Sequence, residues 1–229
     1  IIELHKNYIE AGADIITTNT FRTNPLAYEK AKISISNFDF VKNSVQLANS
    51  ASKDYKNIIV AGSNPPAEDS YQRNRTVPFS SIVKNHEEHI EMLWESGVDI
   101  LLNETQSHLD EIKVICEHCS KYSIPFVLSL LITEELRIFS GETLKYILDF
   151  VKYYSPVAVS LNCIFPNVFP KYLSGNSFNY QWGFYLNCGS SYYTEKTLSI
   201  GVSPFDYIKI VSESINEKLL FVGHCCGSN

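Results

Sequence analysis

Short apolar runs alternate with amphipathic segments along the whole chain. Seven runs are apolar on both faces, which is typical of strands buried in a parallel sheet. They are spaced by about 30 residues or more in most cases, the length of a strand plus a crossover helix. The pattern therefore predicts repeated βα units. The predicted strands are Asp14–Thr18, Ile58–Gly62, Asp99–Leu102, Phe126–Leu131, Val157–Leu161, Gly183–Leu186 and Leu219–Val222.

Helical patterns fill most of the intervals. A helix is predicted over Ser80–Ser96, with Gly97 placed to end it. Ser203 and Pro204 form the start signal of a later helix. The segment Ile164–Tyr180 has weak periodicity and is predicted to be a long loop with room for one short helix. The face of this helix that is predicted to be buried consists of four apolar residues, Phe205, Ile208, Val211 and Ile215.

The number of strands bears on the fold class. A closed (β/α)₈ barrel has eight strands in about 250 residues. This chain opens in a helical pattern, Ile1–Ala11, and ends at Asn229, just past the seventh strand. The simplest interpretation is an α/β protein with a (β/α)8 TIM barrel that lacks its first strand and last helix. Residues 1–229 would form one domain, and an open doubly wound sheet is the alternative.

Composition and charge narrow the function classes. The chain has 229 residues, of which 45% are hydrophobic and 19% charged, as in an ordinary globular protein. Its net charge of −6 argues against nucleic acid as a partner. No apolar run approaches the roughly 20 residues that span a membrane. Six Cys without a secretory pattern favour reduced thiols and a cytoplasmic location. The sequence specifies no oligomeric state.

Thiols are concentrated where βα folds carry their chemistry. Cys163, Cys188, Cys225 and Cys226 follow predicted strands directly, at the ends that form the functional face. Consecutive Cα atoms are about 3.8 Å apart, whereas disulfides usually span about 4.4–6.8 Å. Cys225 and Cys226 are therefore better suited to share a metal ion than to bond each other. With Cys163 they would form a zinc site with one open position, as in catalytic sites.

Packing offers a competing interpretation of several of these side chains. Buried Cys behaves as a small hydrophobe, so a Cys–Cys pair is compatible with core packing as well. Cys116 and Cys119 fall on the apolar stripe of a predicted helix and are expected in the core. Cys188 is expected to be a neighbour, because a fourth thiol would close the site. His86 and His89 lack the spacing of a zinc protease and are predicted to be on the surface.

Other strand-end residues leave several roles open. Glu104 follows the third strand and would face either a structural partner or a cationic ligand group. His224 precedes the Cys pair and could contact the metal ligands without binding the metal itself. Tyr8 and Tyr71 are expected to be packing residues. The stretches Gly189–Ser191 and Gly227–Ser228 could cradle a phosphate, although turn chemistry explains them equally well.

The chain resembles the homocysteine S-methyltransferase family of zinc barrels. The resemblance covers nearly the whole chain and follows the family's order. Its most specific feature is Asn-Cys after one strand combined with Gly-x-Cys-Cys-Gly after the last. The stretches that carry it are Ala11–Phe21, Val60–Ser63 with Pro66 and Glu68–Tyr71, Gly97–Thr105, Val159–Cys163 and Val222–Gly227.

The resemblance implies a metal site and a reaction. Zinc would be held by Cys163, Cys225 and Cys226. A methyl group would move from a sulfonium or ammonium donor to the thiol of homocysteine, giving methionine. S-methylmethionine and S-adenosylmethionine are the expected donors, although betaine, folate and corrinoid routes also exist in this class. The expected partners are thus homocysteine and a small methyl donor, without nucleic acid or membrane.

The resemblance also implies a substrate site. Glu104 would bind the amino group of homocysteine, Thr20 and Phe21 would line its pocket, and Asn187 matches an Asn in the family's seventh-strand motif. His224 departs from the Gly that the family usually has, and the family's first strand has no counterpart here. A TIM-barrel enzyme for a phosphorylated metabolite and a catalytically inactive barrel are the alternatives.

Overall fold

The structure is a computed structural model that describes residues 1–166, 168–175, 179–189 and 201–227. The chain divides into two compact units. Unit 1 comprises Ile1–Glu104 and Asp110–Val127, and unit 2 comprises Thr105–Leu109 and Leu128–Asn229. All seven predicted strands are present. No helix within the described ranges has the length and apolar character needed to cross a membrane.

Unit 1 contains a parallel sheet flanked by helices. Strand β1 pairs with β2, and β2 pairs with β3, in parallel and in chain order. The register places Ser63 opposite Leu102 and Asn64 opposite Asn103, so the polar ends of β2 and β3 are adjacent. The elements are α1 (Ile2–Glu10), β1 (Ile15–Thr17), α2 (Pro25–Ala31), α3 (Asn37–Ser52), β2 (Ile59–Asn64), α4 (Phe79–Glu95), β3 (Ile100–Gln106) and α5 (Leu109–Lys121).

Unit 2 repeats this arrangement. Strand β5 pairs in parallel with β6, and β6 with β7, with an irregularity between Trp182 and Gly183. The pairing brings the carboxyl ends of β5, β6 and β7 to one edge. The elements are β4 (Phe126–Leu130), α6 (Leu144–Val151) with a 3₁₀ turn (Lys152–Tyr154), β5 (Ala158–Asn162), α7 (Phe169–Gly175), β6 (Trp182–Leu186), α8 (Pro204–Ser214) and β7 (Leu219–His224).

Local signals explain where the helices begin and end. The side chain of Ser203 accepts a hydrogen bond from the Asp206 N–H, and Pro204 occupies the first turn of α8, as predicted. Helix α4 is followed by Gly97, whose φ of +91° a side chain would disfavour. The loop predicted over residues 164–180 contains one short helix, α7; residues 167 and 176–178 of that loop lie outside the described ranges.

Helix α8 buries a different face from the predicted one. Phe205, Ile208 and Ile215 are 77%, 63% and 70% exposed, and Val211 is half-buried. The buried residues of α8 are Tyr207 and Ser214. Both sets recur at helical spacing, so periodicity did not identify the packed face. The Tyr207 hydroxyl forms hydrogen bonds with the main chain of β6 and β7, and these contacts determine which face of α8 is buried.

The prediction of surface positions for His86 and His89 was wrong, because both imidazoles are fully buried in unit 1. They share the face of α4 that carries Ile82, Ile90 and Leu93, a spacing that the sequence already displays. The Asn64 side chain contacts both rings, with Oδ1 2.8 Å from His89 Nδ1 and Nδ2 3.3 Å from His86 Nδ1.

The prediction that Tyr8 packs in the core was also wrong, because Tyr8 is 59% exposed in unit 1. Tyr71, for which packing was expected too, is half-buried.

Candidate functional site

Three cysteine sulfurs meet at the carboxyl-terminal edge of unit 2. The Sγ atoms of Cys163, Cys225 and Cys226 all lie within 4.8 Å of one another. Cys163 Sγ is 2.6 Å from Cys225 Sγ, which is 3.9 Å from Cys226 Sγ. Within the described part of the chain, this is the one group of three or more His, Cys, Asp or Glu side chains that could share a metal ion.

The end of β6 holds all three cysteines through the main chain. It lies between β5, which ends just before Cys163, and β7, which ends just before Cys225. The hydrogen bonds run from Cys163 N to Tyr185 O at 3.2 Å, from Cys225 N to Leu186 O at 3.1 Å and from Cys188 N to Cys226 O at 2.7 Å. The thiols thus converge because strands distant in sequence pair with one central strand.

An unusual backbone angle at Cys163 and the hydrogen bonds of the residue before it orient the first of the three cysteines. Cys163 has a φ of +55°, which only a minority of non-glycine residues adopt. The side chain of the preceding Asn162 makes three hydrogen bonds. Its Oδ1 accepts from Thr105 N and Ser129 Oγ at 2.8 and 2.7 Å, and its Nδ2 donates to Thr105 Oγ1 at 2.8 Å. This amide fixes the chain immediately before the strained cysteine.

The donor set suits a zinc ion with an open position. Tetrahedral coordination with bonds of about 2.3 Å places sulfurs about 3.8 Å apart. The separation of Cys225 and Cys226 matches this spacing, while Cys163 and Cys225 would have to separate by about 1 Å. Cys188 lies outside the group of three. Its thiol lies 3.7 Å from the Leu186 carbonyl and can donate a weak hydrogen bond to it.

Mutual hydrogen bonding distributes charge within the thiol group. Hydrogen bonds from Cys163 and Cys225 lower the pKa of Cys226. The hydrogen bond to Cys163 and that to Cys226 raise the pKa of Cys225. A lowered pKa favours the thiolate form of Cys226, which is the form of cysteine that binds metals.

Cys116 and Cys119 behave differently, as predicted. Both are fully buried on α5. Burial raises the pKa of Cys119 to about 12 and that of Cys116 further. They are neutral core thiols.

Glu104 lies in unit 1, half-buried near the end of β3. Its Oε1 accepts a hydrogen bond from the Ser63 hydroxyl at 2.5 Å. Three further hydrogen bonds form a closed ring around the Ser63 main chain, and Thr20 is fully buried within it. They run from Ser63 N to Thr18 Oγ1 at 3.1 Å, from Thr18 Oγ1 to Thr20 Oγ1 at 2.7 Å and from Thr20 Oγ1 to Ser63 O at 2.8 Å.

The other residues implied by the resemblance occupy varied settings. Phe21 is half-buried, and the Arg22 guanidinium carbon lies 5.5 Å from its ring centroid. Asn187 is buried in unit 2, where its Oδ1 accepts from Gly189 N at 2.9 Å and stabilises the turn after β6. Ser190, Ser191 and Ser228, from the stretches considered as a phosphate cradle, lie outside the described residues.

Sequence reasoning missed two residues that shape these sites. One is Ser63, whose hydroxyl binds the Glu104 carboxylate. Its position at the end of β2 was a usable signal, because adjacent strand ends meet at one edge. The other is Tyr207, which bonds the main chain at the ends of β6 and β7. Its ring also lies 4.2 Å from that of His224. Helical periodicity offered no signal for its role.

Comparison with solved structures shows the fold. The homocysteine methyltransferase MmuM from Escherichia coli, in its metallated form, is 21% identical and has a TM-score of 0.82. The match covers 99% of this chain and 80% of that one. The oxidized form gives 21% identity and a TM-score of 0.81, and the apo form 22% and 0.73, with the same coverage. The predicted TIM-barrel class is confirmed, and the doubly wound alternative is set aside.

The family follows from a match over the full sequence. The family model described as homocysteine S-methyltransferase matches residues 1–229, which is the whole chain. This agrees with the resemblance carried by the strand-end stretches and with the meeting of the three cysteines. The chain belongs to the homocysteine S-methyltransferase family of enzymes.

Proposed function

We propose that this protein transfers a methyl group from a sulfonium or ammonium donor to the thiol of homocysteine in a zinc-dependent reaction, giving methionine. The observation that carries the proposal is the meeting of the Cys163, Cys225 and Cys226 sulfurs within 4.8 Å. Family membership supports the acceptor and the reaction class.

The three cysteines would hold zinc and leave one coordination position for the substrate. When bound, zinc supplies a Lewis acid that keeps a coordinated thiol ionised near neutral pH. The protein contributes the ligands, held by the end of β6, and the chain conformation at Cys163. Three thiolates suit zinc better than magnesium or calcium, which prefer oxygen ligands.

Glu104 would bind the amino group of homocysteine. A carboxylate that already accepts one hydrogen bond from Ser63 is oriented before the substrate arrives. Ammonium–carboxylate hydrogen bonds are short and roughly twice as strong as neutral ones. We further propose that Phe21 and Thr20 border this part of the substrate site and that Asn187 maintains the turn after β6.

The proposed methyl transfer needs no external oxidant or reductant. The homocysteine thiol releases its proton to solvent, and its sulfur forms a bond to the methyl carbon. The bond between that carbon and the donor's sulfonium or ammonium atom breaks, and its electron pair remains with the donor. S-methylmethionine and S-adenosylmethionine are the proposed donors. Because the reaction requires a reduced thiol, we propose a cytoplasmic setting in methionine biosynthesis.

Metal analysis of the purified, reduced chain tests the zinc centre. We expect one zinc per chain in the wild type, no retained zinc in Cys226→Ala and full retention in Cys116→Ala. The last variant is the matched control, because Cys116 is a buried thiol outside the cluster. Equal loss in both variants, or a well-folded wild type without metal, would refute the ligand assignment. A screen of homocysteine against S-methylmethionine, S-adenosylmethionine and betaine then tests the reaction and the donor.

A further inference from the structure

Tyr207 is a buried residue of α8 whose hydroxyl bonds two strands. It is 3% exposed, although much of the apolar surface of that helix faces away from the protein. Its hydroxyl donates to Gly223 O at 2.5 Å and accepts from Leu186 N at 3.2 Å. Gly223 belongs to β7 and Leu186 to β6, so one oxygen atom joins the two strands.

These two main-chain groups belong to a single position of the sheet. Leu186 pairs with His224 in the parallel register. In such a ladder, the Leu186 N–H faces the carbonyl of the residue before its partner, which is Gly223. The hydroxyl of Tyr207 therefore bonds both sides of the ladder at that position.

The hydrogen bonds that follow along the same edge belong to the thiol cluster. Leu186 O accepts from Cys225 N at 3.1 Å, and Cys188 N donates to Cys226 O at 2.7 Å. The Tyr207 ring also contacts that of His224, with centroids 4.2 Å apart. Tyr207 thus contacts both residues that precede the two adjacent cysteines. Its hydroxyl bonds the Gly223 carbonyl, and its ring contacts the His224 ring.

We propose that Tyr207 is a positioning residue of the metal centre, whose hydroxyl fixes the spacing of β6 and β7 and thereby places Cys225 and Cys226. The inference rests on the proposed function, because it concerns the ligands of the zinc site. A tyrosine that only filled the core would stabilise the fold without affecting the affinity for metal.

Tyr207→Phe separates these two roles. Zinc affinity is measured by competition with a chromophoric chelator, and ligand geometry by the absorption spectrum of the Co²⁺ form. We expect zinc binding to weaken by about 10- to 100-fold, the usual effect of removing a group that orients metal ligands, with an altered Co²⁺ spectrum. Tyr172→Phe is the control. It removes another buried hydroxyl of unit 2, which bonds Tyr180 at 3.2 Å, and should leave affinity and spectrum unchanged.

The outcomes distinguish this inference from the proposed function. A wild type that binds no zinc would overturn both. A wild type that binds zinc, with unchanged affinity and spectrum in Tyr207→Phe, would overturn only the inference, as would equal weakening in both variants. If Tyr207→Phe does not fold, amide exchange in the wild type replaces it. Exchange of the Leu186 N–H, which donates to the Tyr207 hydroxyl, should slow when zinc is added, because Leu186 also bonds Cys225 through its carbonyl and is coupled to the metal ligands. Unchanged exchange would overturn the inference.

Discussion

The orientation of Glu104 depends on a hydroxyl from the neighbouring strand. Ser63 donates to one carboxylate oxygen, and its own main chain is fixed by Thr18 and Thr20. The closed ring of hydrogen bonds around the Ser63 main chain determines which atom donates in each bond. Ser63 N–H donates to Thr18, the Thr18 hydroxyl donates to Thr20 and the Thr20 hydroxyl donates to the Ser63 carbonyl. Because the ring uses only the main chain of Ser63, the serine hydroxyl can donate to Glu104 and orient the carboxylate toward an ammonium group.

Ser63→Ala should raise the KM for homocysteine while the zinc content stays at the wild-type level. A hydrogen bond to a charged group contributes about 1.5–3 kcal/mol, so the KM should rise by roughly tenfold or more, with a smaller effect on kcat. Steady-state kinetics and metal analysis measure both quantities. Ser120→Ala, at an exposed position of α5, is the control and should match the wild type. An unchanged KM in Ser63→Ala would contradict the role assigned to this hydroxyl.

At the level of single residues, position could be predicted from the sequence more readily than hydrogen bonding. Cys163, Cys225 and Cys226 were predicted together because strand ends share an edge, and the structure places them together. Ser63 and Tyr207 were missed because a hydroxyl's partner depends on strand register and helix rotation. His86 and His89 were misassigned for a similar reason, since amides from neighbouring strands make their burial possible.

The turn after β7 is the element that brings the last two ligands to the site. It contains Gly227, whose φ is +77°. A Cβ atom there would lie 2.6 Å from Gly189 Cα and 2.9 Å from the Cys188 carbonyl carbon. Both backbone angle and space therefore require glycine at this position, and any side chain would push the turn away from the end of β6.

Gly227→Ala should weaken zinc binding by roughly tenfold or more, because it displaces groups that orient the ligands. Gly141→Ala is a suitable control. Gly141 also has a positive φ, +106°, but a Cβ atom there meets nothing within 4 Å. In both variants alanine must adopt a positive φ, which costs about 1–2 kcal/mol. Only in Gly227→Ala does the added Cβ atom also collide with the main chain of Cys188 and Gly189. Equal zinc affinities in competition titrations would show that the close approach to β6 is unimportant for the metal centre.

Element type was predicted well because parallel strands and capped helices have local causes. All seven strands, α4 and α8 lie where the pattern placed them, and Cys116 and Cys119 lie on a helix, α5, as predicted. Strands β2, β3 and β7 extend farther than predicted, to Asn64, Gln106 and His224, because polar residues continue the ladder beyond the apolar run. The face of α8 that packs depends on Tyr207, a tertiary contact that periodicity does not encode.

At the scale of the whole molecule, buried ionisable groups in unit 1 connect stability to pH. Burial, together with the charge of nearby His86, lowers the pKa of His89 to about 3. Burial acts to raise the pKa of Glu111, but the hydrogen bond and charge of His86 and the charge of Arg75 outweigh it and lower the value to about 2. The contribution of each group to the free energy of unfolding is lost on acidification, and the two contributions are lost over different pH ranges. The His89 contribution changes between pH 6.5 and about 3, and that of Glu111 between 4.5 and about 2.

The free energy of unfolding should therefore fall as the pH drops from 7 to 5, where His89 titrates only in the unfolded chain. One such proton changes stability by about 1.4 kcal/mol per pH unit below its unfolded pKa, or about 2 kcal/mol at pH 5. Urea unfolding at several pH values measures this slope. His89→Gln should flatten it. Thr23→Val removes the hydroxyl 3.0 Å from His89 Nε2 but keeps the imidazole, so it should lower stability at every pH and preserve the slope. Parallel curves for wild type and His89→Gln would assign the acid sensitivity to other groups.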